Sequence, residues 1–401
     1  MFGQNAWPSE NWNAAVNLTG VMDTKGLTEL SGLHWNPIYN RLYVAHGDGR
    51  VRVLHLNTTT KAFSPIANIS GLGGPEGITQ VNNSANEFYT VDEDNYEIRK
   101  YTHPADLSLA TLSKHWNLLA SPSPMTNTGN TGPEGIAFVP DSFLAAKGFI
   151  SQATGLPYTS VKGMGGLIFI AHQDQGMVWV FDIDPNVNDS FVYVGKYKTN
   201  RSESCDLEFD RSTGLLYILH NTGNNFLEVT DLSSTAVTGS RKFVMKNEYA
   251  IPNPSGNTNI EGFALTPRLS SPAGIGVSVF LCRDVESGES SSYLKDCIRW
   301  FEPFTESGTS GFRNSSSGGQ TDGTAAVYPN PAAAQFTVSF SGRVYDNATI
   351  RLYNILGQRV LEQRHLNGDE ATFTIAHLPA GFYCVEIVRN ATVTKRKLAK
   401  F

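Results

Sequence analysis

The chain has 401 residues, 40% of them hydrophobic, and carries 31 Lys and Arg against 37 Asp and Glu, a formal charge of −6. That length exceeds what one core usually needs, and 37 Gly with 15 Tyr and 22 Phe suits a turn-rich β protein. The longest apolar run, near Gly276–Cys282, falls far short of the roughly 20 residues of a membrane-spanning helix, and the acidic balance argues against nucleic acid as a partner.

At the start, Met1-Phe2-Gly3-Gln4-Asn5 has neither the basic residues nor the apolar stretch of an export signal, so the sequence is read as beginning near a signal cleavage site. Five later stretches share one pattern: a small or acidic residue, then Gly or Asp, then an apolar strand. They are Leu30-Ser31-Gly32-Leu33, Pro75-Glu76-Gly77-Ile78, Pro133-Glu134-Gly135-Ile136, Cys205-Asp206-Leu207 and Ile260-Glu261-Gly262-Phe263. Each is followed by a second apolar strand that ends on a polar residue: His46, Asp92, His172, His220 and Arg283. Self-similarity at this scale points to radially repeated sheets.

Successive repeats are 45, 58, 71 and 56 residues apart. A four-stranded blade takes roughly 40–50 residues, so the excess is loop insertion. The clearest insertion runs from Val139 to Gly166 and is rich in Gly, Ser, Pro and Ala. Inserted loops on a rigid scaffold are where binding groups commonly sit. Asn11–Thr19 and Ile298–Phe304 are candidate strands for closing the ring. The expected fold is all-β, a five-bladed β-propeller over residues 1–304, with a degenerate sixth blade left open.

Thr305–Ala325 is dominated by Ser, Gly and Thr and reads as a flexible linker. Charge changes sign there: residues 1–325 carry a net −10 and residues 326–401 a net +4. The tail alternates apolar and polar residues between Gly-bounded turns, which predicts a small Ig-like β-sandwich over 326–401. Its motifs run Val327-Tyr328-Pro329-Asn330-Pro331, Phe336-Thr337-Val338-Ser339-Phe340, Ile350 to Val360, Leu378-Pro379-Ala380-Gly381-Phe382-Tyr383-Cys384-Val385 and Lys395-Arg396-Lys397-Leu398. In this order they resemble the C-terminal sorting domain of type IX secretion substrates. The resemblance implies a Gram-negative cell, passage through the periplasm, and release or anchoring at the outer surface. The secretion machinery is then the expected partner of residues 326–401.

An oxidising periplasm permits disulfides. Cys282 and Cys297 flank fourteen polar, loop-like residues and are a candidate hairpin pair, whereas Cys205 and Cys384 read as small buried hydrophobes. No Cys-x-x-Cys motif or helical His pair suggests zinc.

Equivalent residues of successive blades converge on one axis, so the repeated Glu76, Glu134 and Glu261 form a ring of carboxylates. His46, His172 and His220 suggest a polar ring at one channel end, with Arg283 the cation at an equivalent position and Lys162 in the inserted loop. These five are the candidate ligand-binding residues. Set against this, a Gly after each Glu can serve only close packing near the axis, and a His ending a strand is often a satisfied structural group.

Gly74-Pro75-Glu76-Gly77-Ile78 followed by Phe88-Tyr89-Thr90-Val91-Asp92-Glu93-Asp94, with Asn259-Ile260-Glu261-Gly262-Phe263, resembles the phytase-like and SdiA-regulated propeller families across about residues 25–304. In those families such acidic residues hold calcium. The resemblance makes Glu76 and Glu261, with Asp92 and Asp94 nearby, candidate metal ligands, and Glu134, Glu29, Glu203 and Asn259 complete the candidate set. Physical reasoning points the same way, because converging carboxylates repel and a hard dication with oxygen ligands relieves the repulsion.

A phytase also needs cations or several metal ions around the transferred phosphate. Here the repeat strands offer only Arg283, and no Gly-x-Ser-x-Gly elbow supplies a serine nucleophile. The expected function is therefore an exported calcium-binding module for an unidentified ligand. A calcium-dependent phosphoesterase, with Arg283 or Lys162 holding phosphate, and a structural adhesin are the alternatives.

Overall fold

The computed structural model describes residues 5–222, 224–268, 276–304, 325–328, 332, 334–340, 348–354, 358–365, 370–379, 381–389 and 392–400. The expected linker, but for Ala325, lies outside the described residues. Two compact units emerge, Met1–Gly308 and Thr309–Phe401.

The first unit contains five antiparallel four-stranded units. Blade 1 runs Leu30–Asn36, Arg41–His46, Arg50–Asn57 and Ala62–Ser70; blade 2 runs Pro75–Thr79, Glu87–Asp92, Glu97–Thr102 and Thr111–Asn117. Blade 3 runs Pro133–Pro140, Gly166–His172, Met177–Ile183 and Phe191–Lys198; blade 4 runs Asp206–Asp210, Leu215–Thr222, Asn224–Val237 and Ser240–Ala250. Blade 5 takes Ile260–Leu265, Val279–Arg283 and Ile298–Phe301 from one end of the unit and Val16–Asn17 from the other. Arg299 and Trp300 pair with Asn17 and Val16, so the two predicted closing segments meet in one blade.

The inner strands pack in the order 1-2-3-4-5 and back to 1, which closes the ring at five. Each neighbouring pair of blades buries its own apolar cluster. Leu33 and Trp35 meet Phe280 and Trp300 between blades 1 and 5, for example, and Tyr89 and Trp116 meet Ile136 and Trp179 between blades 2 and 3. Alternation along each strand sends one face into each adjoining cluster, and this burial holds the ring.

Two features depart from simple repetition. The outer strand of blade 3 pairs in parallel with Ser240–Ala250 of blade 4, through Tyr197 with Arg241 and Lys198 with Lys242, so these two blades share a continuous sheet. Asn5–Ala6 adds to the same strand. The insertion in blade 3 opens with a helix, Asp141–Lys147, ended by left-handed Gly148. The cysteines expected to pair, Cys282 and Cys297, are both free and buried, with their thiols facing the carbonyls of Ser31 and of Leu27, respectively. Cys384 is only half-buried, unlike the core residue expected.

The second unit is a sandwich. Ala325–Tyr328, Gln335–Phe340 and Glu370–Thr374 form one sheet; Arg359–His365, Ala348–Asn354, Gly381–Arg389 and Thr392–Lys400 form the other. Phe336, Val338, Phe373, Ile350, Leu352, Val385 and Leu398 fill its core.

Candidate functional site: the acidic end of the propeller axis

Each Glu of the repeat sits where the inner strand slips register against its neighbour, between Pro75 and Gly77, Pro133 and Gly135, and Ile260 and Gly262. A bulge of this kind re-aims a side chain, and here it sets Glu76, Glu134 and Glu261 together at one end of the axis. The Gly that follows serves close packing. A methyl group on Gly77 would lie 2.7 Å from the Glu134 carbonyl oxygen, and one on Gly135 would lie 2.5 Å from the Asp206 Cα.

The carboxylates act on one another. Burial raises the Glu134 pKa well above the usual carboxylate range, and the charges of Glu261, Glu76 and Glu93 raise it further. Burial, Asp284 and Glu76 do the same to Glu261. Glu76 is pushed up to about 7, mainly by burial, although Ser31 donates a hydrogen bond to it. Glu93 Oε1 accepts the Gly132 amide at 2.9 Å, and burial raises the pKa of Glu93 as well. Asp284 is raised to about 6 by burial and by Glu29 and Glu286. Asn259 Nδ2 donates to Glu261 Oε1 at 2.8 Å and reaches Asp284 Oδ2 at 3.5 Å.

Glu93 and Asp284 are the members that the repeat pattern missed. Both lie one residue beyond the polar strand ends at Asp92 and Arg283. The equivalent position of blade 1 is Gly47, where an added methyl group would lie 3.0 Å from Glu76 Oε1. In blade 4 it is Asn221, whose amide bonds to Asn259. Counting one residue past the strand ends of blades 2 and 5 therefore finds a second acidic tier of the mouth, because successive strand residues point to opposite sides.

The remaining candidates border this cluster or lie apart from it. Asp92 is buried, pairs with Arg99 and accepts the Asn95 amide at 2.9 Å, while Asp94 is exposed in the following turn. Glu29 exchanges backbone hydrogen bonds with Val285 and Gly47, and its charge raises the pKa of Asp284. Glu203 offers its carbonyl to His220 Nδ1 at 2.6 Å.

The histidines do not form a channel ring; each is buried within its own blade. His46 Nδ1 lies 3.3 Å from the Thr28 carbonyl, His172 Nδ1 accepts the Asp174 amide at 3.2 Å, and His220 Nε2 meets Glu228 at 3.1 Å. Burial lowers His46 and His172 to about 4, so both are neutral at pH 7.

Arg283 is held by Asp296 and by the carbonyls of Asn257 and Ser255. Lys162 bonds Ser190 at 3.2 Å and lies by Asp182, at the end of blade 3 where Pro140 pairs with Gly166. Glu134 belongs to the other end, where Pro133 pairs with His172. Neither cation therefore faces the carboxylates. Ser204 Oγ lies 3.4 Å from His220 Nδ1, beside Glu228, but Ser204 is fully buried and no substrate reaches it there.

The donor set at the mouth is all oxygen apart from the Asn259 amide nitrogen, which suits a hard cation. Among the described residues no three acidic, His or Cys side chains already stand at ligand spacing around one point. A metal ion here would draw the side chains inward.

Residues 326–400 match the family model of the secretion system C-terminal sorting domain. The chain therefore carries a type IX sorting tail and is a secreted or cell-surface protein, with that tail as the part that engages the secretion machinery. Among the described residues no helix is long and apolar enough to cross a membrane. No curated protein matches the chain. Among solved structures, the chain is similar to a candidate 6-phosphogluconolactonase from Bacteroides uniformis, with 10% identity, a TM-score of 0.34, and 67% of this chain and 87% of the other covered. So slight a likeness transfers no activity.

Proposed function

We propose that the protein is a binding module which a Gram-negative cell exports through the periplasm to its surface, and that the acidic mouth takes a divalent cation. Calcium is the ion that the likeness to phytase-like and SdiA-regulated propellers suggests. Glu76, Glu134, Glu261, Glu93 and Asp284 would hold it, and it would supply the positive charge that the mouth lacks. One observation carries the reading: these carboxyls raise one another's pKa, while Arg283 is paired with Asp296 and Arg99 with Asp92 and Glu97. With Arg283 and Lys162 so placed, the phosphoesterase alternative lacks its phosphate-binding cations.

Thermal unfolding with calcium and with a chelator tests this. An ion that binds only the folded chain adds about 2.7 kcal/mol at a hundredfold excess over Kd, so calcium should raise Tm. Replacing Glu76, Glu134 and Glu261 by Gln together should abolish the shift. No response of the wild-type protein to millimolar calcium would rule the reading out.

A further inference from the structure

Blade 4 touches blades 3 and 5 in the ring, yet side chains of its inner strand and of the turn after it bond to blades 1 and 2. Asp206 Oδ2 accepts the Phe263 amide of blade 5 at 2.8 Å and also the Leu33 amide of blade 1 at 3.3 Å. Glu208 Oε2 lies 3.5 Å from His34 Nδ1 of blade 1. Arg211 donates to the Val81 carbonyl at 2.9 Å and to the Gln80 carbonyl, both just past the inner strand of blade 2. A side chain that joins blades which are not neighbours crosses the axis, so the axis is crossed three times.

The levels follow from strand geometry. Along Asp206-Leu207-Glu208-Phe209-Asp210, Leu207 and Phe209 enter the cluster shared with blade 3 while Asp206 and Glu208 turn inward. Residues two apart on a strand are separated by roughly 7 Å. Asp206 thus closes the axis just beneath Glu134, with Glu208–His34 below it and Arg211 lower still.

We infer that the acidic mouth is a cup, open at the carboxylate end and closed below by these crossings, which admits a single cation from one face. This deepens the cation-binding reading and rests on it. Asp206 has little left to offer an ion, since its oxygens already accept the amides of Leu33, Phe263 and Leu207. A second dication stacked beneath would also meet the Arg211 guanidinium. The site therefore suits one hard cation rather than the pair of metal ions on which phosphate chemistry often draws.

The test uses the full chain with Cys384→Ser, because the other three cysteines are buried. A bulky maleimide is attached at Asn130→Cys, in the exposed loop above Glu134, or at Ile38→Cys, in the exposed turn after the opposite end of the blade 1 inner strand. Calcium release to a fast chelator should slow at least about tenfold with the first label and less than about twofold with the second. Equal slowing by the two labels overturns one-sided access. Calorimetry should show one calcium lost when Glu134→Gln is introduced, and loss of two overturns the single-ion cup. If the wild-type protein takes no calcium at all, the cation reading fails, and closure is then judged by amide exchange. Slow exchange at Leu33 and Phe263 supports the crossing, and exchange as fast as at surface amides overturns it.

Discussion

At the upper end of the axis Glu134 faces Glu76, Glu93 and Glu261, while a short step below it Asp206 faces three backbone amides. Both carboxyls are buried and burial raises the pKa of both. Around Asp206 the amides work against that rise; around Glu134 the neighbouring charges add to it. A buried carboxyl with donors is a structural tie, whereas one among other carboxyls needs protons or a cation. The comparison separates the part of the axis that holds the ring from the part that can hold a ligand.

The largest expected effect lies at the tie. Asp206→Ala leaves the Leu33, Phe263 and Leu207 amides without acceptors in a closed interior, at about 1–3 kcal/mol for each orphaned group. Neighbouring losses are not fully additive, so denaturant unfolding should show destabilisation of about 3–5 kcal/mol. Asp206→Asn keeps an acceptor oxygen and should lose less than half of that. Equal losses in the two variants would mean that charge, and not amide satisfaction, holds the crossing.

The carboxylate end should show a smaller effect of opposite character. Glu76 is raised from 4.5 to about 7 and Asp284 from 3.8 to about 6, with burial the leading cause for both. An acid whose pKa is raised on folding binds its proton more tightly in the folded state, so its contribution is present below the unfolded pKa and is lost as pH rises through the folded one. In a chelator, Tm should therefore fall by several degrees between about pH 5 and pH 8. Saturating calcium should flatten the profile by replacing protons as the compensating charge. A chelated protein whose Tm rises over that interval would show that the carboxyls are already compensated.

The repeated Glu-Gly and Asp-Leu strands made the blades legible, because their period follows from the shape of a blade. The closing strands were legible too, at Val16–Asn17 and Ile298–Phe301, since a ring needs one strand from each end. The sheet shared by blades 3 and 4 was not, because a parallel pairing of outer edges leaves no local signature. The second tier was missed by a single residue. Strand ends mark where a blade stops but do not tell which side of the sheet a residue faces, so His46, His172 and His220 read as channel residues although they are buried in their blades. The crossings by Asp206, Glu208 and Arg211 depend on distances across the ring, which no local pattern encodes.

The smallest expected effect sharpens the comparison by being absent. Lys162 was a candidate because inserted loops often bind ligands, but this insertion leaves blade 3 where Pro140 pairs with Gly166 and is pinned there. Ser160 donates to Asp141, and Tyr158 and the Val161 amide donate to Asp182. Half-buried Lys162 adds one hydrogen bond to Ser190, and removing it leaves no charge buried without a partner. Lys162→Ala should therefore change stability by no more than about 0.5 kcal/mol. Its effect on the calcium-induced Tm shift should also be nil, because the axis is closed between Lys162 and Glu134 and a partly solvated charge is largely screened beyond about 10 Å. A calcium response that strengthened once Lys162 was removed would show that its charge is felt at the mouth, and the two ends of the axis would then have to be treated as one electrostatic site.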